Sequence, residues 1–208
     1  KLQVAEETTN QNTLSKSSVS RNRAVSNKAF LDSAEFYKKT DIARSIDFVA
    51  QSLEVLGTDG DKDQLAKSLT KLGEIYLHHK QYDLAIDNFE DALKANKTIA
   101  TSLMLARSYE ITDQFDAAEK VLNPLERLKN MVPYQRVELY EIFGDIKKGT
   151  GDVPLAVDYY NEGLKVASQN QITPKMTDLN SKIADAYAQD NKLTEAEVYY
   201  GNSVELAS

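Results

Sequence analysis

Few side chains in this sequence stand at spacings that could do chemistry. Its two histidines are adjacent, His78-His79. On a helix, neighbours at i and i+1 point apart, so this pair cannot pinch one metal ion as an i, i+4 pair would. Nor does anything mark the third, positioned group that a hydroxyl-histidine-carboxylate centre needs. Gly144-Asp-Ile-Lys-Lys-Gly149-Thr-Gly151 has the glycine spacing of a phosphate loop. It lacks the Lys-Ser/Thr that holds phosphate and magnesium, and the periodicity before it is that of a helix, not a strand. Asn96-Lys-Thr98 is a formal glycosylation triplet, meaningful only in a secretory eukaryotic setting. There is no cysteine, which removes thiolate catalysis, disulfides and thiolate-bound zinc together. The residue types therefore predict no enzyme, no metal site and no cofactor.

Composition narrows the partners. The net charge is −7 and no cluster of Lys and Arg forms a basic face, which argues against nucleic acid. The tyrosines, 11 of them, fall mostly in periodic core positions rather than on a base-stacking platform. No apolar run reaches the ~18–20 residues of a membrane span. The sequence opens at Lys1 without an initiator Met or a signal peptide, which predicts a piece cut from a longer protein.

The elements that carry these residues repeat. Gly73-Glu-Ile-Tyr76 … Ala85 … Phe89 … Ala92-Leu93 is echoed by Ala106 … Tyr109 … Ala118 … Leu122, by Gly144 … Ala156 … Tyr160 … Gly163-Leu164, and by Ala184 … Tyr187 … Ala196 … Tyr200 … Ser203-Val204. A fainter copy reads Ser33 … Phe36 … Ser45 … Val49 … Ser52-Leu53. Each column has a physical reason. The small residue of the first helix (Ser33, Gly73, Ala106, Gly144, Ala184) lets the second helix approach, and the aromatic three positions later (Phe36, Tyr76, Tyr109, Tyr187) fills the space beside it, with Lys147 breaking that column. Small residues Ser45, Ala85, Ala118, Ala156 and Ala196 do the same on the second helix, and the apolar residues four positions on, Val49, Phe89, Leu122, Tyr160 and Tyr200, are expected to pack against the next repeat. Spacings of three and four put these on one helical face. Thr173-Pro174, Val132-Pro133 and Asp152-Val-Pro154 are helix openings, and Pro124 should kink or end the helix that contains it.

The prediction is an all-α fold of αα-hairpins. A polar lead-in, 1–25, flexible or partly helical, precedes five units at 26–65, 66–98, 99–136, 137–176 and 177–208. This spacing resembles the tetratricopeptide repeat, a helix–turn–helix unit of ~34 residues. The chain departs from that pattern where Ala29, Leu69, Ser102, Tyr140 and Asn180 replace the frequent Trp, and in lacking the Pro that often closes the unit. The resemblance implies a right-handed superhelical solenoid whose first helices line a concave, partner-binding side. Carried over by register, that side holds Tyr37, Lys67, Thr70, Glu74, Leu103, Arg107, Glu138, Glu141, Asp145, Asp178, Ser181 and Asp185. Thr70, Glu74, Leu103 and Arg107 do not make the Lys/Asn/Arg clamp with which some members grip a C-terminal carboxylate. The acids of the latter half predict attraction for a basic protein or peptide segment, against the alternative of a merely solvated acidic face.

Repeat arrays need covered ends. Tyr200, Val204 and Leu206 lie in the last helix with no polar capping helix before Ser208, which predicts further chain or a homodimer there. Two functions remain open. The repeats with variable linkers resemble the input regions of bacterial two-component sensor kinases, implying a periplasmic or cytoplasmic sensor or regulatory module of a larger signalling protein. The alternative is a free-standing adaptor that assembles a complex.

Overall fold

The computed structural model describes residues 21–57 and 61–207, and these fold as helices and turns without a strand. In chain order the helices are α1 (21–37), α2 (Ile42–Leu56), α3 (Lys62–His78), α4 (Tyr82–Ala95), α5 (Ile99–Ile111), α6 (Phe115–Glu126), α7 (Pro133–Gly149), α8 (Val153–Gln169), α9 (Thr173–Gln189) and α10 (Leu193–Ala207). They form two compact units, one ending at Lys97 and the other beginning at Thr98. Within the first, α2 packs on α3 and α3 on α4. Within the second, α5–α6, α7–α8 and α9–α10 are paired hairpins, and α7 touches α5 on one side and α9 on the other. Of the expected lead-in, residues 1–20 lie outside the described residues, and 21–25 belong to α1.

Local chemistry fixes the helix ends. The carboxylate of Asp41 accepts from the Arg44 amide at 3.0 Å, and that of Asp152 from the Leu155 amide at 3.2 Å, each satisfying an amide that the first turn leaves without a partner. Pro133 and Pro174 open α7 and α9, where a missing N–H costs nothing. Pro124 sits in α6, which ends at Glu126. The closing turns share one geometry. Lys80, Asp113, Gly151, Gln171 and Asn191 all adopt positive φ, and the next residue's amide donates back five positions, as in Gln81 to Tyr76 at 2.9 Å and Lys192 to Tyr187 at 2.9 Å. This is the left-handed closure that sends a chain straight back alongside its own helix.

Between α1 and α2 that closure is absent. The Asp41 amide donates instead to Tyr37, four residues back, at 2.9 Å. One residue fewer in the turn shifts α1 by one position against the other first helices, and this corrects the sequence reading. Ala34 and Tyr37, not Ser33 and Phe36, occupy the small and aromatic columns. Ala34 is wholly buried and its carbonyl accepts from Ser45 Oγ at 2.7 Å. Tyr37 stacks on Phe48 with ring centroids 5.7 Å apart, while Phe36 is 76% exposed.

The small columns act as read. At Gly73, an added Cβ would come within 2.5 Å of the Phe89 ring, and at Gly144 it would overlap the Tyr160 ring. The core of the second unit is built on Leu103, Leu122, Leu139, Ile142 and Ile146 between α5, α6 and α7, and on Val157, Tyr160, Leu179 and Ile183 between α8 and α9. Each such side chain contributes about 1.5–3 kcal/mol when fully buried. The packing leaves the α5, α7 and α9 residues that project away from their second helices to form a second, polar seam.

Candidate functional site

That seam is an ion network. Glu141 and Asp145 are four residues apart on α7, so both carboxylates emerge on the same face. Arg107 from α5 meets both, with Nη2 at 2.9 Å from Glu141 Oε1 and Nη1 on Asp145 Oδ2. From the other side α9 supplies Lys175, 2.6 Å from Glu141 Oε2, and Lys182, 2.7 Å from each Asp145 oxygen and 3.4 Å from Glu141. The phenol of Tyr160 on α8 donates to Asp145 Oδ1 at 2.7 Å. The carboxylates are buried, with the three cations half-buried around them. Three successive first helices are thus tied through two carboxylates.

Electrostatics follow from this geometry. Burial alone would raise the Asp145 carboxyl, but the charges of Lys182 and Arg107 outweigh it and hold the group below its ordinary range. Glu141 is likewise held low against its burial, by Arg107 and by the Lys175 hydrogen bond. Glu110 and Glu138, also on this side, go the other way: burial raises both despite the nearby cations. The Tyr160 phenol is pushed up by burial and by the charge of Asp145, so it remains a donor throughout the physiological range.

Beside the network lies a cleft of about 510 Å³, lined by Arg107, Glu110, Asp113, Lys148, Lys182 and Gln189 among others. Its walls carry both signs of charge. Among the described residues no group of three His, Asp or Glu side chains could hold a metal. His79 has a structural partner, its Nε2 lying 2.7 Å from the carbonyl of Lys38 in the α1–α2 turn.

The sequence-predicted concave residues separate into two groups. In the first unit Lys67 is exposed, Thr70 is half-buried, and Glu74 is half-buried against Lys71 at 2.5 Å. Tyr37 is not a groove residue, because the shifted α1 turns it into the aromatic column. Its place is taken by Glu35, which Lys71 also bridges at 2.8 Å. In the second unit Leu103 is wholly buried in the α5–α7 core, so it too leaves the set. Glu141 and Asp145 are not a solvated acidic face. Burial without partners would be prohibitive, and the network supplies the partners. Arg107, Glu138 and Ser181 are half-buried, while Asp178 and Asp185 are exposed. Ser181 donates to the Thr177 carbonyl at 3.2 Å, and Asp185 accepts from the Tyr200 phenol at 2.5 Å.

Sequence reasoning missed Lys71, Lys175 and Lys182. A usable signal existed for two of them. Two residues before the aromatic column stand Glu35 and Asp145, and five before that column in the following first helix stand Lys71 and Lys182. Both pairs close, at 2.8 and 2.7 Å.

Known proteins agree with this architecture. The family model described as "Soluble NSF attachment protein, SNAP" matches residues 10–111. Mouse tetratricopeptide repeat protein 21A is 26% identical over 149 residues, which is 71% of this chain and 11% of that protein. The chain therefore spans about a ninth of the length of that curated relative. The solved structure of BtubC (BKLC) from P. vanneervenii superposes with a TM-score of 0.73 at 16% identity, covering 92% of this chain and 89% of the other. PilF of Pseudomonas aeruginosa gives 0.71 at 14% identity, covering 88% and 78%. By its repeats and its fold, the chain is a tetratricopeptide-like helical-repeat protein.

Proposed function

We propose that this chain is a non-catalytic scaffold that holds a protein or peptide segment against the first helices of its second unit. The observation that carries this reading is the cleft of about 510 Å³, lined by Arg107, Asp145 and Lys182, which the ion network fixes, and by Lys148 and Gln189, which lie outside that network. Fixed groups of both signs suit main-chain amides and mixed-charge side chains, since each polar contact meets a partner already held in place. A basic segment would engage Asp178 and Asp185, the acids of this face that stay exposed.

The scaffold serves as the sensor or regulatory module of a larger bacterial signalling protein. A second reading, a free-standing adaptor, is equally consistent with the fold. Capture from the source cells with the chain and with its Lys148→Glu variant tests the cleft. A partner retained by the first and lost by the second is expected, and identical capture by both would sink the assignment. Tagging the chromosomal gene then separates the readings. A membrane-associated band far above 23.3 kDa indicates a module, and a soluble band near that mass an adaptor.

A further inference from the structure

The cleft beside the ion network is charged differently according to which helices line it. The α5–α6 hairpin brings Glu110 and Asp113 to it, and the ends of α7 and α9 bring Lys148, Lys182 and Gln189. Arg107 and Asp145, which reverse this order, are engaged with each other. Asp145 also holds Lys182 and accepts from the Tyr160 phenol, so its charge is met inside the network. Three cations around two carboxylates leave that network with an excess of positive charge. Lys148, half-buried, adds to it and forms no ion pair among the described residues.

On the α5 side the balance is the opposite. Asp113 is exposed and likewise without an ion pair among the described residues, in the left-handed turn that closes α5. Glu110 is half-buried, and its ion pair with Arg107, at 3.4 Å, is the longest that guanidinium makes. Burial raises the Glu110 carboxyl in spite of that contact, so its charge is incompletely balanced. Two apolar groups share this side. Ile111 is 41% exposed, and the Phe115 ring lies so close to Gly149 that a Cβ there would come within 2.5 Å of it.

We infer that the cleft recognises a short extended segment of a partner protein in which an acidic residue is flanked by a basic residue and an apolar one. Successive side chains of an extended segment point to opposite sides, so the two flanking residues face one way and the central one the other. The central carboxylate meets Lys148 and the Gln189 amide. The basic flank meets Asp113 and Glu110, and the apolar flank covers Ile111 and Phe115. Segments of a single sign fit less well. An all-basic one sets cations beside Lys148 and Lys182, and an all-acidic one sets carboxylates beside Glu110 and Asp113. This inference rests on the reading of the cleft as the holding site and adds which side chains it selects.

The probe is the peptide acetyl-Lys-Glu-Leu-amide, titrated at millimolar concentration into the 15N-labelled chain. Amide shifts are expected at the cleft, at the ends of α5, α7 and α9. Changing Glu to Gln in the peptide, or Lys to Gln, should each weaken binding about two- to fivefold, the range of one ion pair at a partly exposed site. The preference for Glu over Gln should vanish with Lys148→Glu in the chain, and that for Lys over Gln should shrink with Asp113→Asn. Lys120→Glu makes the same charge change on α6 outside the cleft and should keep both preferences. The amide spectrum shows that each variant is folded. Shifts elsewhere or none, equal affinity for the three peptides, or a Lys120→Glu chain that behaves like Lys148→Glu would each overturn the inference. Capture from cells is decided separately. A partner lost with Lys148→Glu while the three peptides bind alike leaves the cleft as the holding site and removes only this pattern of recognition.

Discussion

The two units solve one problem, how to fix the register of stacked helices, with different chemistry. In the first, the wholly buried seam is a neutral knot joining α1, α2 and α3, and the charged bridge from Lys71 to Glu35 lies at a half-exposed rim. The Asn27 amide donates to Ser52 Oγ at 2.6 Å and to Ser68 Oγ at 3.0 Å, and the two hydroxyls are 2.6 Å apart. All three side chains are wholly buried, and Asn27 Oδ1 has no partner. In the second unit charges do the work, with Arg107, Lys175 and Lys182 around Glu141 and Asp145. A neutral group that loses its partner leaves a modest desolvation cost, whereas a charge that loses its partner leaves a large one. The lesson is one of brittleness. The ionic seam gives stricter specificity for its partners and fails harder when one member is removed.

The largest effect should therefore come from Arg107→Met. It keeps volume but strips the guanidinium from two buried carboxylates, and should lower the stability of the second unit by about 3–5 kcal/mol. Replacing Ser52 by Ala in the first unit removes one hydroxyl from the neutral knot and should cost about 1–3 kcal/mol. Hydrogen exchange, which reads the two units separately, makes the comparison. Equal losses in both units would remove the distinction between the two seams.

Acid should separate the units next. Asp145 and Glu141 have folded values below their unfolded ones, so their contribution is complete above the ordinary carboxyl range of about 4 and is lost as pH falls through the folded values. Glu110 and Glu138 are raised, so they oppose this trend: they favour the folded state at low pH and give that up as pH rises. The two network acids each lie among cations and dominate at low pH. Exchange protection of α7 should fall as pH drops from 5 to 3, and Arg107→Met should flatten that dependence. Protection of α2, held by the neutral knot, should change less over the same range. A parallel fall in both would show that the network acids are not what titrates.

The small-residue columns sharpen the comparison at a lower energy. Gly144→Ala drives a methyl into the Tyr160 ring, and Gly73→Ala drives one to 2.5 Å from the Phe89 ring. Each should cost about 1–3 kcal/mol by overpacking. Gly144→Ala should do more, because shifting Tyr160 also disturbs its hydrogen bond to the network through Asp145. Urea midpoints of the two variants decide it, and a smaller loss at Gly144 would mean that Tyr160 merely fills space.

Much of this was legible in the sequence, because helix periodicity and small–large columns are local signals. Gly73 and Gly144 as close-approach positions follow from spacing alone, but the rings seated on them, Phe89 and Tyr160 of the same repeats, were expected against the next repeat instead. The ion network was half legible. Register placed Arg107, Glu141 and Asp145 on one side, and the column offset shared by Glu35–Lys71 and Asp145–Lys182 could have pointed to Lys182, but nothing in the pattern pointed to Lys175 or to the burial of the two carboxylates. The acids were thus read as a free face. Leu103 was placed in the groove for a related reason: register assigns a side of a helix, whereas burial depends on how closely α7 approaches. The α1 error has a different origin. Its column was counted across a turn assumed to match the others, and the turn is one residue tighter.

That tighter turn gives the smallest and most discriminating test. If α1 is shifted as described, Phe36 is a surface residue and Phe36→Ser should change stability by no more than about 0.5 kcal/mol. Tyr37→Ser removes a ring stacked on Phe48 and covered by the Arg44 guanidinium 4.7 Å from its centroid. Aromatic pairing alone is worth about 0.5–1.5 kcal/mol beyond the area buried, so the second substitution should be the costlier of the two. If the order is reversed, α1 follows the same register as α3, and Glu35 would no longer be aligned with Glu74 on either side of Lys71. Urea denaturation of the two single variants settles which column the first helix obeys.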